Sequence, residues 1–131
     1  MRRIIVLISL IVISTVGCKG LSTQKDIVNV SVSSATEMVN NTSKLQLIDV
    51  RTPEEYNSGH LEGATNIDFF SDSFREDIEK LDKHKPVLVY CKSGGRGSKS
   101  AAIFKELGFT KIYNMEGGIT SWNDAGYKTV K

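Results

Sequence analysis

The residues best equipped for covalent reactions stand in one unbroken stretch, Cys91, Lys92, Ser93, Gly94, Gly95, Arg96, Gly97 and Ser98. A cysteine reacts as its thiolate, and positive potential beside the sulfur favours that form. The stretch offers three sources of it. Glycines at 94, 95 and 97 let the backbone turn back so that several N–H groups point inward as an anion nest. The N-terminus of a helix, expected to start near Ser98, contributes partial positive charge. Lys92 and Arg96 add formal charge. An exposed thiol held in this way is a nucleophile site. The plainer alternative is a buried cysteine at a strand end, followed by glycines that merely make a tight turn.

The elements around this stretch place it. Val28, Val30 and Val32 alternate with Asn29 and Ser31 as in a strand, after which Ser33 or Ser34 caps a helix containing Ala35, Met38 and Val39. Glu37, three residues after Ser34, has capping-box spacing. Leu45 to Val50 reads as a second strand. Pro53 then opens a short helix with Glu54 and Glu55 at its positive end. Asn66-Ile67-Asp68 reads as a very short strand, and Phe74, Ile78 and Leu81 share one helical face. Val87-Leu88-Val89-Tyr90 is apolar without alternation, which suits a central parallel strand covered on both sides. Ser98 to Leu107 is expected to be helical, Lys111 to Asn114 a strand, and Ile119 to Ala125 a last helix. About five strands alternating with about five helices predict an α/β domain, residues 27–131, with a parallel sheet and helices on both faces. Ligands of such sheets bind at the carboxyl ends of the strands, where Cys91 stands.

The first residues have a different character. Met1-Arg2-Arg3 is a short basic segment, and Ile4 to Ile13 is apolar except for Ser9, a run too short to span a bilayer comfortably. It has the form of an export signal, and Ser14-Thr15-Val16-Gly17-Cys18 ends it with small residues before a cysteine. This ending resembles the lipobox of bacterial lipoproteins, with Thr15 where that family usually has an aliphatic residue. The resemblance implies removal of residues 1–17, a diacylglycerol on Cys18, and a polar tether over residues 18–26. The alternative is an uncleaved signal anchor. In either case the domain is expected outside the cytoplasm, in the bacterial cell envelope and in the periplasm if there is one. The chain has two cysteines, so lipid on Cys18 leaves Cys91 without a disulfide partner in an oxidising compartment.

Removing Arg2 and Arg3 from the 17 basic residues leaves 15, against 15 acidic ones. That balance, without a basic stripe interleaved with aromatics, argues against nucleic acid as a partner. One thiol and two distant histidines, His60 and His84, make no metal-ligand set, and no cofactor is expected.

The Cys-x-x-Gly-x-Arg pattern from Cys91 to Arg96 resembles the active-site loop of rhodanese-type sulfurtransferases. Other landmarks follow in the same order: Asp49-Val50-Arg51, Pro53-Glu54-Glu55-Tyr56, Gly59-His60-Leu61, Gly63-Ala64 and Asn66-Ile67 before the loop, then Glu116-Gly117-Gly118-Ile119 and Trp122 after it. The resemblance implies a rhodanese-like fold and a transfer in two steps. Cys91 takes sulfur from a small anionic donor such as thiosulfate, and a thiol or cyanide-like acceptor removes it. It also implies that the amides of residues 92 to 96 hold the negative sulfur, and that Lys92 and Arg96 attract the donor. Arg51 would approach the same pocket, or else pair with Asp49 or another carboxylate. The family position matching His60 is structural, and Trp122 is expected in the core. Cysteine phosphatases and arsenate reductases use a related loop with the arginine six positions after the cysteine; here Arg96 is five after Cys91, which favours sulfur over phosphate. A third reading is a module that carries sulfur or binds a partner without catalysis.

Overall fold

The structure is a computed structural model that describes residues 27–131. The expected signal segment, Cys18 and the tether to residue 26 lie outside the described residues. Five strands form one all-parallel sheet, β1 (Ile27–Val30), β2 (Gln46–Asp49), β3 (Thr65–Asn66), β4 (Val87–Tyr90) and β5 (Ile112–Met115), in the spatial order β1-β5-β4-β2-β3. Five helices alternate with them: α1 (Val32–Asn41), α2 (Pro53–Ser58), α3 (Phe74–Glu79), α4 (Gly95–Glu106) and α5 (Gly118–Asp124). The expected α/β class, strand number and parallel sheet are all present.

β4 is central, and all four of its residues are buried. Its side chains divide by the two-residue period of a strand. Val87 and Val89, with Ile48, Val50 and Ile112, pack against Phe74 and Ile78 of α3 and Ala101 and Phe104 of α4. Leu88 and Tyr90, with Leu47 and Met115, face Ala35 of α1 and Ile119 and Trp122 of α5. Each fully buried aliphatic or aromatic side chain contributes about 1.5–3 kcal/mol relative to exposure, so a strand apolar on both sides is stable only where helices cover both. Trp122 lies in the core as expected, its indole N–H donating to the Lys128 carbonyl at 3.0 Å.

Most element boundaries shift by one or two residues from the sequence reading, and two of the differences have a clear physical reason. Val32 belongs to α1, and the cap is Ser31, whose Oγ accepts from Ser34 N–H at 3.1 Å, in place of Ser33 or Ser34. Among the described residues β1 is an edge strand paired only with β5, and the pairing ends at Val30 with Met115. Beyond that point Val32 has no ladder to join, and its β propensity is overridden. The second difference is α4, which starts at Gly95 rather than at Ser98. Glycine-rich sequence reads locally as loop, yet Ser98 N–H already donates to the Gly94 carbonyl at 3.0 Å and closes the first turn.

Candidate active site

Cys91 follows β4 directly, and its Sγ accepts a hydrogen bond from Gly94 N–H at 3.0 Å. Gly94 has φ of 116°, in the left-handed region that side chains avoid, and this turns the chain back over the sulfur as α4 begins. The first amides of a helix have no intrahelical acceptor, so a twelve-residue helix starts with its positive end beside the thiol. Gly95 and Gly97 lie inside this helix, so the nest expected from three loop glycines is built from one left-handed glycine and a helix terminus. Cys91 is 1% exposed, buried against the α4 side of the core, and is not the exposed thiol expected from sequence. Its partner atoms come from the backbone that folds over it.

The other side of the loop is held by α5. The Cys91 carbonyl accepts from Ile119 N–H at 2.9 Å, and the Lys92 carbonyl from Thr120 N–H at 3.0 Å. This contact is so close that a Cβ on Gly118, where φ is +57°, would overlap the Cys91 carbonyl. Lys92 and Ser93 are exposed at the rim.

The two arginines are both engaged by carboxylates. Arg96 forms a two-pronged pair with Glu55 of α2, with Nη1 to Oε1 and Nη2 to Oε2 each 2.9 Å. Its guanidinium also lies over the Phe70 ring, 5.6 Å from the centroid. Hydrogen bonding from Arg96 holds the Glu55 carboxyl below its usual range, and Glu55 in turn raises Arg96. Arg51 is buried, with Nη2 2.7 Å from Asp49 Oδ2 and 2.7 Å from the Gly59 carbonyl, while Nε bridges both Asp49 oxygens at 3.0 and 3.1 Å. Burial pulls its pKa down, but the Asp49 hydrogen bonds and charge outweigh this and hold it above the ordinary value. Asn66 fixes this strand end, donating from Nδ2 to the Asp49 carbonyl at 3.0 Å and the Arg51 carbonyl at 2.8 Å.

A polar cavity of about 300 Å³ opens beside the loop, with Arg51, Glu55, Lys92, Thr120 and Asn123 in its walls. The structure therefore brings Lys92 and Arg51 to one cavity, while Arg96 is held by Glu55 of its wall and does not itself line it. His60 stacks on Tyr56 at 3.7 Å between ring centroids, with Nδ1 3.0 Å from the Tyr56 carbonyl, a packing role. His84 is exposed. Tyr90, at the end of β4, accepts from Leu61 N–H at 3.1 Å; burial, then the charge of Asp49, raises its hydroxyl well above the ordinary range.

Three participants escaped the sequence reading. In the sequence Glu55 is a helix-end charge within one of the landmark segments, and its pairing with Arg96 has no local signal. Ile119 and Thr120 contribute backbone amides, which carry no residue-type signature, although the Gly117-Gly118 pair marked a close approach.

The Rhodanese-like domain family model matches residues 31–125. Uncharacterized protein YqhL of Bacillus subtilis is 40% identical over 79 residues, covering 60% of this chain and 61% of the relative, so the chain spans less than two thirds of that protein. Thiosulfate sulfurtransferase GlpE of Shewanella oneidensis is 29% identical over 97 residues, 74% of this chain and 93% of that one. Among solved structures, a rhodanese-related protein from Thermoplasma volcanium superposes with a TM-score of 0.69 at 27% identity, covering 79% of this chain and 97% of that one. With the sheet order, the helices on both faces and the cysteine loop at the end of β4 all in place, this chain belongs to the rhodanese-like domain family.

Proposed function

We propose that the protein is a sulfurtransferase that moves a sulfane sulfur through a persulfide on Cys91. The observation that carries this reading is the hydrogen bond from Gly94 N–H to Cys91 Sγ, made where the N-terminus of α4 meets the sulfur. In the first step the Cys91 thiolate attacks the outer sulfur of thiosulfate or a similar donor. The S–S bond to Cys91 forms as the bond to the sulfonate sulfur breaks, and sulfite leaves with the electron pair. In the second step a thiophilic acceptor, a thiol or cyanide, attacks the terminal sulfur and releases the thiolate. The Gly94 amide and the free amides at the start of α4 would stabilise the negative charge on sulfur in both steps.

Lys92 is the exposed cation that meets the incoming anion, with Arg51 in the wall behind it. The remaining loop residues Ser93, Gly94 and Gly95 supply backbone around the sulfur, and Arg96 braces that backbone through Glu55. The engagement of Arg96 by a carboxylate also supports sulfur over phosphate chemistry, because a phosphoryl group would need that arginine's charge inside the loop. The thiosulfate sulfurtransferase named above is a relative whose name agrees with this reading.

The test is intact mass spectrometry of the purified protein after incubation with thiosulfate, alongside Cys91→Ser and a phosphate-release assay on an aryl phosphate. A gain of one sulfur atom that requires Cys91 and is removed by cyanide, without phosphate release, is expected. No adduct would sink thiosulfate as the donor, and phosphate release would overturn the sulfur reading. If neither appears, the non-catalytic reading takes over, in which the exposed Phe70 beside Arg96 marks a surface for a protein partner.

We further infer that the domain is tethered outside the cytoplasm through lipid on Cys18. The basic segment, apolar run and small residues before Cys18 support it. Incorporation of labelled palmitate that is lost in Cys18→Ala is the expected result, and an unlabelled membrane-bound protein would favour an uncleaved anchor. Among the described residues, no helix is long and apolar enough to cross a membrane.

A further inference from the structure

A chain of hydrogen bonds runs from the edge of the sheet to the sulfur. In β5, Asn114 lies opposite Asn29 of β1 on one side and Val89 of β4 on the other, two residues before Cys91. Its carboxamide is buried beneath the start of α4. Nδ2 donates to Asn29 Oδ1 at 3.1 Å and to Ser98 Oγ at 3.2 Å. Ser98 N–H donates to the Gly94 carbonyl at 3.0 Å, and Gly94 N–H donates to Cys91 Sγ at 3.0 Å.

The other end of the same carboxamide sets a steric limit. Asn114 Oδ1 is buried and has no hydrogen-bond partner among the described residues. It is aimed at Gly97, where an added Cβ would lie 2.7 Å from Oδ1 and 3.6 Å from Cys91 Sγ. A buried acceptor left unpaired keeps the full cost of its desolvation. An apolar residue of the same shape would avoid that cost, so core packing alone does not explain the carboxamide under Gly97.

We propose that Asn114 is a positioning residue for Cys91: it sets the height and orientation of the first turn of α4, and so aims the Gly94 amide at the sulfur. It acts through Ser98 and Gly97 and does not touch the substrate. The inference rests on the Cys91 sulfurtransferase reading for its consequence, but its mechanical part concerns only the thiol and the turn above it. Asn29 is exposed and anchors the far end of the chain on β1.

Iodoacetamide alkylation of Cys91 at fixed pH and steady-state sulfur transfer from thiosulfate to cyanide test this together. Asn114→Leu is expected to slow alkylation and lower kcat by about tenfold or more, the scale of a small misplacement of a catalytic group, with the KM for thiosulfate nearly unchanged. Ile78→Val, in the core on the same face but contributed by α3, is the control for lost stability and should keep wild-type rates. Gly97→Ala should be impaired in both assays, because the added methyl would push against Asn114 Oδ1 and shift the turn above the sulfur. Wild-type alkylation and kcat in Asn114→Leu, or in Gly97→Ala, would overturn the proposal. A wild-type protein that alkylates at Cys91 but takes up no sulfur would sink the sulfurtransferase reading, and the alkylation series would still decide the role of Asn114.

Discussion

Arg96 in the first turn of α4 and Glu55 in α2, 41 residues apart in sequence, are joined by two parallel hydrogen bonds of 2.9 Å. The pair is partly shielded, with side-chain exposures of 19% and 31%. The loop arginine is therefore a brace across the mouth of the site in the resting protein, and the charge it could offer a donor is already neutralised.

Releasing that brace should separate binding from structure. Glu55→Gln removes the negative charge and frees Arg96 to face an incoming anion. The expected result is a KM for thiosulfate about two- to fivefold lower, the scale of one partly exposed ion pair, with kcat within twofold. An unchanged KM with a loss in thermal stability would assign Arg96 a bracing role alone.

The same pair confers a pH dependence. Arg96 holds the Glu55 carboxyl below its ordinary value. A carboxylate depressed in the folded state contributes stability above its unfolded pKa, and that contribution fades as pH falls through the folded value. Urea titrations of the wild type and Glu55→Gln should differ at neutral pH and converge in acid, beginning below the ordinary glutamate range of about 4.3. A gap that stays constant into acid would mean that the carboxylate charge is not what stabilises the brace.

Arg51 and Asp49 form a pair of another kind, buried at 5% and 0% side-chain exposure. Removing one partner strands a charge, so Arg51→Met or Asp49→Leu alone should cost about 3–5 kcal/mol in denaturant unfolding. The double variant should be less destabilised than the two single losses together, because no unpaired charge remains. Strict additivity would show that the two groups are held independently.

Gly118 supports the loop from below. Gly118→Ala should destabilise strongly and abolish sulfur transfer, since its Cβ would overlap the Cys91 and Lys92 backbone at a left-handed φ. Gly126→Ala shares a positive φ but meets nothing within 4 Å. Only backbone strain remains there, about 1–2 kcal/mol, with activity retained in the folded fraction. Equal losses at both positions would show that strain, and not contact with the loop, dominates.

The local patterns carried most of the fold. An unbroken apolar run at Val87–Tyr90 implies a strand covered on both faces, and β4 is that strand. Pro53 with acidic residues after it marks the start of α2, which begins there with Thr52 as its cap. Cys91 at the carboxyl end of a central strand follows from the same reasoning, because strand boundaries, turn residues and periodicity are recorded over a few consecutive positions. The Val32 boundary was illegible for a matching reason: β1 stops where its partner β5 stops, and no residue near Val32 records that.

The chain order of side chains thus contained the strand and helix sequence, the position of the thiol and the cations near it. The packed protein added what depends on distant residues meeting. Which carboxylate takes Arg96, whether Arg51 turns to Asp49, how deeply the sulfur is buried and what lies under α4 are all set by pairs that no local window contains. The long-range bonds from Asn114 to Asn29 and Ser98 are of this kind. They arise only when β1, β5 and α4 are stacked, because the energy that selects them is the desolvation of polar groups in a core that the unfolded chain does not have.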